Sequence, residues 1–162
     1  MAQGRIYTAT SGLVAYTGTS ATLIFLGTTT STATADIQAI RVGIYSGSGV
    51  SYPSNGTVLV QLCRVTGSSA GGTAVTARPH NASDIAANTT FLDATGSAIT
   101  GMTQGAIVWE QSLPFTAGAN WAEWVTPGAE WRVSASSFVG VYLTASSGGT
   151  ATDFETSLVF TE

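Results

Sequence analysis

Near the end of the chain Phe154, Thr156, Leu158 and Phe160 alternate with Glu155, Ser157, Val159 and Thr161, and this apolar period of two constrains the fold most tightly. Successive side chains of an extended strand point to opposite faces, whereas a helix gathers residues three and four apart. The segment therefore fits a half-buried strand with an aromatic inner face. Ile40, Val42 and Ile44 against Arg41, Gly43 and Tyr45 repeat the pattern, as do Val58, Val60 and Leu62 backed by Gln61 and Cys63. Further strands are predicted over residues 4–8, 13–16, 21–26, 73–77, 106–113, 121–125, 130–134 and 138–144. Between them lie Gly, Ser and Pro clusters with turn chemistry: Ser46–Gly49, Pro53–Gly56, Gly67–Gly72, Thr95-Gly96, Pro127-Gly128 and Ser146–Gly149. Short strands separated by frequent turn signals predict an all-β, antiparallel β-sandwich, with one domain over residues 1–162. One short helical stretch is expected at Asn81–Ala87, capped by Asn81 or Ser83, after Pro79 ends the preceding strand.

Charge then says what such a sandwich presents to its surroundings. Five arginines, one histidine and no lysine occur in 162 residues, and charged residues make up 9% of the chain, against about a quarter in an ordinary soluble domain. With 44% hydrophobic residues and a net charge of only -4, the sequence lacks the signature of disorder, which is low hydrophobicity with high net charge. The folded surface must be largely hydroxyl, backbone and apolar, which suits contact with other protein. Lysine, proline and inward charges commonly guard sheet edges; here four prolines and few charges are available, so a partner subunit over an exposed edge is expected. Scattered arginines on an acidic chain argue against a nucleic-acid partner, which calls for a basic patch. No stretch approaches the ~18 apolar residues of a membrane span, and Met1–Tyr7 lacks the basic and apolar regions of a secretory leader. Cys63, the single cysteine, excludes an internal disulfide and reads as a small buried strand residue.

Groups for chemistry are few. His80 is the only imidazole, so a Ser-His-Asp arrangement would need it beside Asp84 or Asp93, and no Gly-x-Ser-x-Gly elbow accompanies it. The Gly67–Gly72 run has neither the lysine nor the following helix of a phosphate-binding loop, so it reads as a flexible hairpin connection. The acids are isolated rather than spaced for Ca²⁺ or Zn²⁺, and no metal or cofactor is expected. Composition is most site-like where Glu110, Glu123 and Glu130 share a region with Trp109, Trp121, Trp124 and Trp131. Two acids facing one cleft would serve glycoside chemistry, and aromatic platforms beside acids also hold sugars. Trp109 and Trp131 stand at strand positions that favour a core or a subunit contact, while Trp121 and Trp124 are the candidates for an exposed glycan-binding face.

Several blocks give the chain a resemblance. Leu62-Cys-Arg-Val-Thr-Gly-Ser-Ser-Ala-Gly-Gly-Thr-Ala-Val-Thr-Ala-Arg-Pro79, Trp109-Glu-Gln-Ser-Leu-Pro-Phe-Thr-Ala-Gly118, Trp124-Val-Thr-Pro-Gly-Ala-Glu130 and Ser157-Leu-Val-Phe-Thr-Glu162, with Gly4-Arg-Ile-Tyr-Thr-Ala9, resemble a family of small tailed-phage and prophage virion proteins. Gly-Thr-Ala-Val-Thr-x-Arg-Pro is the specific part. The resemblance implies a non-enzymatic head decoration or cement protein with a jelly-roll-like sandwich, acting as a trimer on the capsid exterior and contacting the major capsid protein. It carries over no functional residue. Arg78 either pairs with Asp84 across the bend or stands as a solvated strand-end charge. The alternative to capsid binding is a glycan-binding or adhesive module.

Overall fold

A computed structural model describes residues 4–16, 20–45, 56–114, 121–125, 131–145 and 152–162, with only the backbone of residues 121, 122 and 125. Its strands are β1 (Ile6–Thr10), β2 (Val14–Tyr16), β3 (Thr22–Thr28), β4 (Ala35–Tyr45), β5 (Thr57–Ala70), β6 (Thr73–Val75), β7 (Arg78–Pro79), β8 (Thr90–Asp93), β9 (Thr100–Pro114), β10 (Trp121–Val125), β11 (Trp131–Val133), β12 (Phe138–Ala145) and β13 (Thr152–Thr161). No helix occurs among the described residues. Two antiparallel sheets form a β-sandwich. One runs β10-β4-β13-β1-β7, with β11 also on β4 and β2 on β13, and the other runs β6-β8-β3-β12-β5-β9.

The period of two explains how these sheets meet. On β13 the inner residues Phe154, Thr156, Leu158 and Phe160 are fully buried while their neighbours are partly or fully open, and Ile40, Val42, Ile44, Val58, Val60 and Leu62 join them in one core. Each fully buried large apolar side chain contributes about 1.5–3 kcal/mol relative to exposure, so this inner layer holds the two sheets together. Aromatic rings bridge it: Tyr7 stacks on Phe160 at 5.3 Å, Phe160 meets Phe91 at 5.2 Å, and Phe91 stacks on Phe25 at 5.4 Å. Tyr7 and Phe160 belong to one sheet, Phe91 and Phe25 to the other. Bulges interrupt the alternation, among them one between Val159 and Phe160 opposite β4 and one between Val141 and Tyr142 opposite β3. The extra residue in the facing strand lets Ile37 and Ile40, and likewise Ile24 and Phe25, all reach the inner core.

A second, smaller cluster of Leu23, Leu26, Cys63, Val65, Ile99 and Tyr142 lies on the other face of the β3-β12-β5 sheet. Cys63 is fully buried in it, as expected of a strand with apolar residues on both faces.

Two connecting segments fold otherwise than expected. The Asn81–Ala87 helix is absent. Asn81 instead closes a single turn: its carbonyl accepts from the Asp84 N–H at 3.0 Å, and its side chain accepts from the Ser83 N–H and hydroxyl. Such side-chain competition for backbone groups favours a turn over helix, and the segment is spent against the core, where Tyr7 donates to the Ile85 carbonyl and Ala87 packs. The Gly67–Gly72 run is not a free connection either. β5 continues through Ala70, pairing with β9, and only Gly71 and Gly72 turn the chain, both with positive φ. A Cβ on Gly67 would stand 2.3 Å from the Gly101 carbonyl oxygen, so the glycine allows the two strands to pair. The Ser46–Gly49, Pro127-Gly128 and Ser146–Gly149 turns, and Pro53–Gly56 up to Gly56, lie outside the described residues.

Candidate functional site

Pleat parity decides what becomes of the Trp- and Glu-rich region. Trp109 stands opposite Leu62 on β5, Trp124 opposite Ile40 and Trp131 opposite Ile37 on β4. All three of these partners are core residues, and Trp109, Trp124 and Trp131 are half-buried against the same inner core. They gather along one margin of the sandwich, where β9 of one sheet approaches β10 of the other. The neighbouring acids take the opposite parity. Glu110 accepts a hydrogen bond from Gln61 at 3.1 Å on the outer side of its sheet, and Glu123 accepts one from Arg41 at 2.9 Å on the outer side of the other. Glu110 and Glu123 thus do not face one cleft, and the expected aromatic platform beside acids is not assembled from these residues. Trp121 pairs through its backbone with Gly43; its side chain, and Glu130, lie outside the described residues.

Arg78 and Asp84 do not pair. Arg78 sits opposite Thr8, which alternates with the inward Tyr7, so its side chain leaves on the outer face. Asp84, in the turn that follows β7, is instead reached by Arg5 at 3.7 Å. His80 is exposed and 2.7 Å from the Thr8 hydroxyl. Asp93 is buried and accepts from the Gly12 N–H, the Thr95 N–H and the Thr95 hydroxyl, the last at 2.5 Å. The structure therefore uses Asp93 to hold two turns and Asp84 for a rim ion pair, with His80 on a surface hydroxyl. Among the described residues no three His, Cys, Asp or Glu side chains are grouped to hold a metal ion.

Two surface concavities are lined by described residues. The larger, about 530 Å³, lies on the outer face of the β4-β13-β1 sheet, lined by Thr8, Thr10, Arg41, Glu123, Glu155 and Ser157 among others. Gly43 leaves it open: a Cβ there would meet nothing within 4 Å. The smaller, about 260 Å³, lies where β5 runs past the start of β12 and is lined by Arg64, Thr66, Gly67, Ser136, Ser137 and Phe138. Composition gave no signal for either, because each is assembled from strands distant in sequence.

The terminal strand of the second sheet is a third feature. β9 is long, and its register on β5 shifts near Leu62 and again between Cys63 and Val65. Around these irregularities Ile107 and Val108 are 48% and 39% exposed. At the other margins the terminal strands β6 and β7 are short, and β7 carries Pro79, so they present little free edge. No family model, curated protein or solved structure matches this chain.

Proposed function

We propose that this chain is a non-enzymatic structural protein of a tailed-phage particle, a decoration or cement protein that coats the outside of the head as a homo-oligomer, with three copies favoured. The exposed Ile107-Val108 pair on the long terminal strand β9 carries this reading. An apolar, lysine-free sheet margin gains from being covered by another protein surface. The surface charges support it, since Arg5, Arg41 and Arg132 are matched with Asp84, Glu123 and Asp36. Such a surface binds through area and shape, and symmetry repeats each modest contact many times. The strand order β1-β13-β4-β10 facing β3-β12-β5-β9 is the order two nested Greek keys produce, which supports a jelly-roll wiring of the sandwich. The sequence blocks point to the same class of protein.

Cryo-electron microscopy of particles carrying this chain tests the assignment: ordered density on the head at symmetry-related, saturable positions is expected. Density on a tail, or none on heads at saturating protein, overturns it. Scattering-derived mass after size exclusion tests the oligomer, with a multiple of 16.5 kDa expected and a monomer at high concentration against it. Because contact is mainly apolar, head binding should change little up to about 0.5 M salt, which screens charges but leaves apolar burial intact.

The hydroxyl- and carboxylate-lined groove over Gly43 favours a second reading, a glycan-binding module. Its test is a glycan array with the native chain and Gly43→Leu, which projects a side chain into the groove from a position where a Cβ meets nothing within 4 Å. Specific binding lost in the variant, with unchanged melting, would put adhesion first.

A further inference from the structure

The smaller concavity contains an arginine whose charge nothing in the described structure neutralises. Arg5, Arg41 and Arg132 each lie within 4.0 Å of a carboxylate, whereas Arg64 has no such partner among the described residues. Its guanidinium is instead held 5.3 Å from the centroid of the Trp131 ring, and Trp131 is itself anchored on the core. A ring face attracts a cation without occupying its N–H groups, so the planar fork stays available and loses less freedom on binding.

Around it the cleft offers neutral donors on a fixed turn. Ser136 has a φ of 56°, rare for a residue with a side chain. The turn keeps this conformation because the Ser136 N–H donates to the Thr30 carbonyl at 3.0 Å and the Ser137 N–H to the Thr29 hydroxyl at 3.0 Å. That hydroxyl in turn donates to the Ser134 carbonyl. Ser136 and Ser137 thus line the cleft beside Arg64 and Thr66 from a braced position, with the Ser137 hydroxyl also within 3.4 Å of the Ala135 carbonyl.

We propose that this cleft is an oxyanion-recognition site that takes a carboxylate of a partner protein, an Asp or Glu side chain or a chain terminus. One guanidinium with only neutral hydroxyls beside it balances a single negative charge, and its fork matches a carboxylate through two parallel hydrogen bonds. A dianionic phosphate calls for a second cation, and the cleft supplies none among the described residues. The net charge of -4 further disfavours polyanions. The cleft of about 260 Å³ suits one small group rather than an extended ligand. The site stands on this geometry alone, whichever particle or partner the protein serves.

The test is nuclear magnetic resonance of the ¹⁵N-labelled chain during addition of sodium acetate at constant ionic strength, following Arg64 Nε–Hε and the amides of Gly67, Ser136 and Ser137. Saturable shifts confined to this cleft are expected. Arg64→Gln and Arg64→Lys should each weaken acetate binding about tenfold or more, the first by removing the charge and the second the fork. Arg78→Gln should leave it unchanged. Both Arg64 substitutions are at an exposed side chain, and dispersed amide spectra verify the fold. Shifts that grow without saturating, or that persist in Arg64→Gln, would overturn the site and leave Arg64 a solvated charge. A parallel titration with methyl phosphate and with sulfate should bind more weakly than acetate; tighter binding of either would overturn the assignment to a carboxylate.

Discussion

Thr156 offers a sharp test of how the core is held, because its side chain and its backbone have been satisfied differently. The residue is fully buried on the inner face of β13, opposite Val42 and between Phe154 and Leu158. Its N–H donates to the Ser11 hydroxyl and its carbonyl accepts from the Ser11 N–H, both at 2.8 Å, yet its own hydroxyl has no hydrogen-bond partner among the described residues. A buried hydroxyl without a partner costs about 1–3 kcal/mol, and exchange for an apolar group of the same shape recovers part of that. Thr156→Val keeps the β-branch and nearly the same volume, and leaves both backbone bonds untouched. We expect it to stabilise the fold by about 1–2 kcal/mol, which in a domain of this size raises the melting temperature by roughly 2–8 °C. Thr29 provides the opposite case. Its buried hydroxyl donates to the Ser134 carbonyl at 2.6 Å and accepts from the Ser137 N–H, so Thr29→Val should destabilise by about 1–3 kcal/mol. Both variants are compared with the native chain by urea unfolding and calorimetry at one fixed protein concentration, since association would otherwise shift the result. A loss of 1 kcal/mol or more in Thr156→Val would refute the reasoning and show that the hydroxyl is bonded within the core.

Three further outcomes follow from burial and bonding. Trp109→Ala and Trp131→Ala should each cost about 2 kcal/mol in urea unfolding, below the 3–5 kcal/mol of a fully buried ring because both are only half-buried; a cost under about 0.5 kcal/mol would remove the ring from the core. Burial raises the Cys63 thiol and the Tyr142 and Tyr16 hydroxyls above their ordinary values of 9.0 and 10.0. Their raised folded values make this contribution to stability complete below those ordinary values and progressively lost as pH rises through the folded ones. The melting temperature should therefore fall above about pH 9, and native thiol labelling should stay slow near neutral pH; rapid labelling contradicts the burial. Glu162→Gln weakens two bonds its carboxylate accepts, from the Asn88 N–H at 2.8 Å and the Thr89 N–H at 2.6 Å. It should cost about 1 kcal/mol, read by hydrogen exchange at those amides, and unchanged protection there would contradict the bonds.

The sequence by itself determined the class of fold and most of its strands. Alternation at Phe154–Phe160, Ile40–Ile44 and Val58–Leu62 is a local property, visible because a pleated strand and a two-sided environment leave the same period in the residues. It also placed Cys63 inside, since apolar residues occupy both faces of its strand. Weak local signal hid β8, a short strand whose buried Phe91 packs against Phe25 and Phe160 from distant strands. Register was equally invisible: the bulges that bring both Ile37 and Ile40 inward depend on the facing strand.

Proximity in sequence misled where parity intervenes. Trp109 and Glu110 are neighbours in the chain and leave the sheet on opposite sides, as do Trp124 and Glu123, so a composition that looked like a site is divided between the core and two outer faces. Arg78 likewise leaves on the outer face opposite Thr8, and Asp84 pairs with Arg5. The cleft around Arg64, Trp131 and Ser136 was legible in no window, because its parts come from β5, β11 and the turn before β12. Period fixes which face a side chain takes within one strand; which faces meet is settled only by antiparallel pairing and the stacking of sheets, interactions between residues that no local pattern connects.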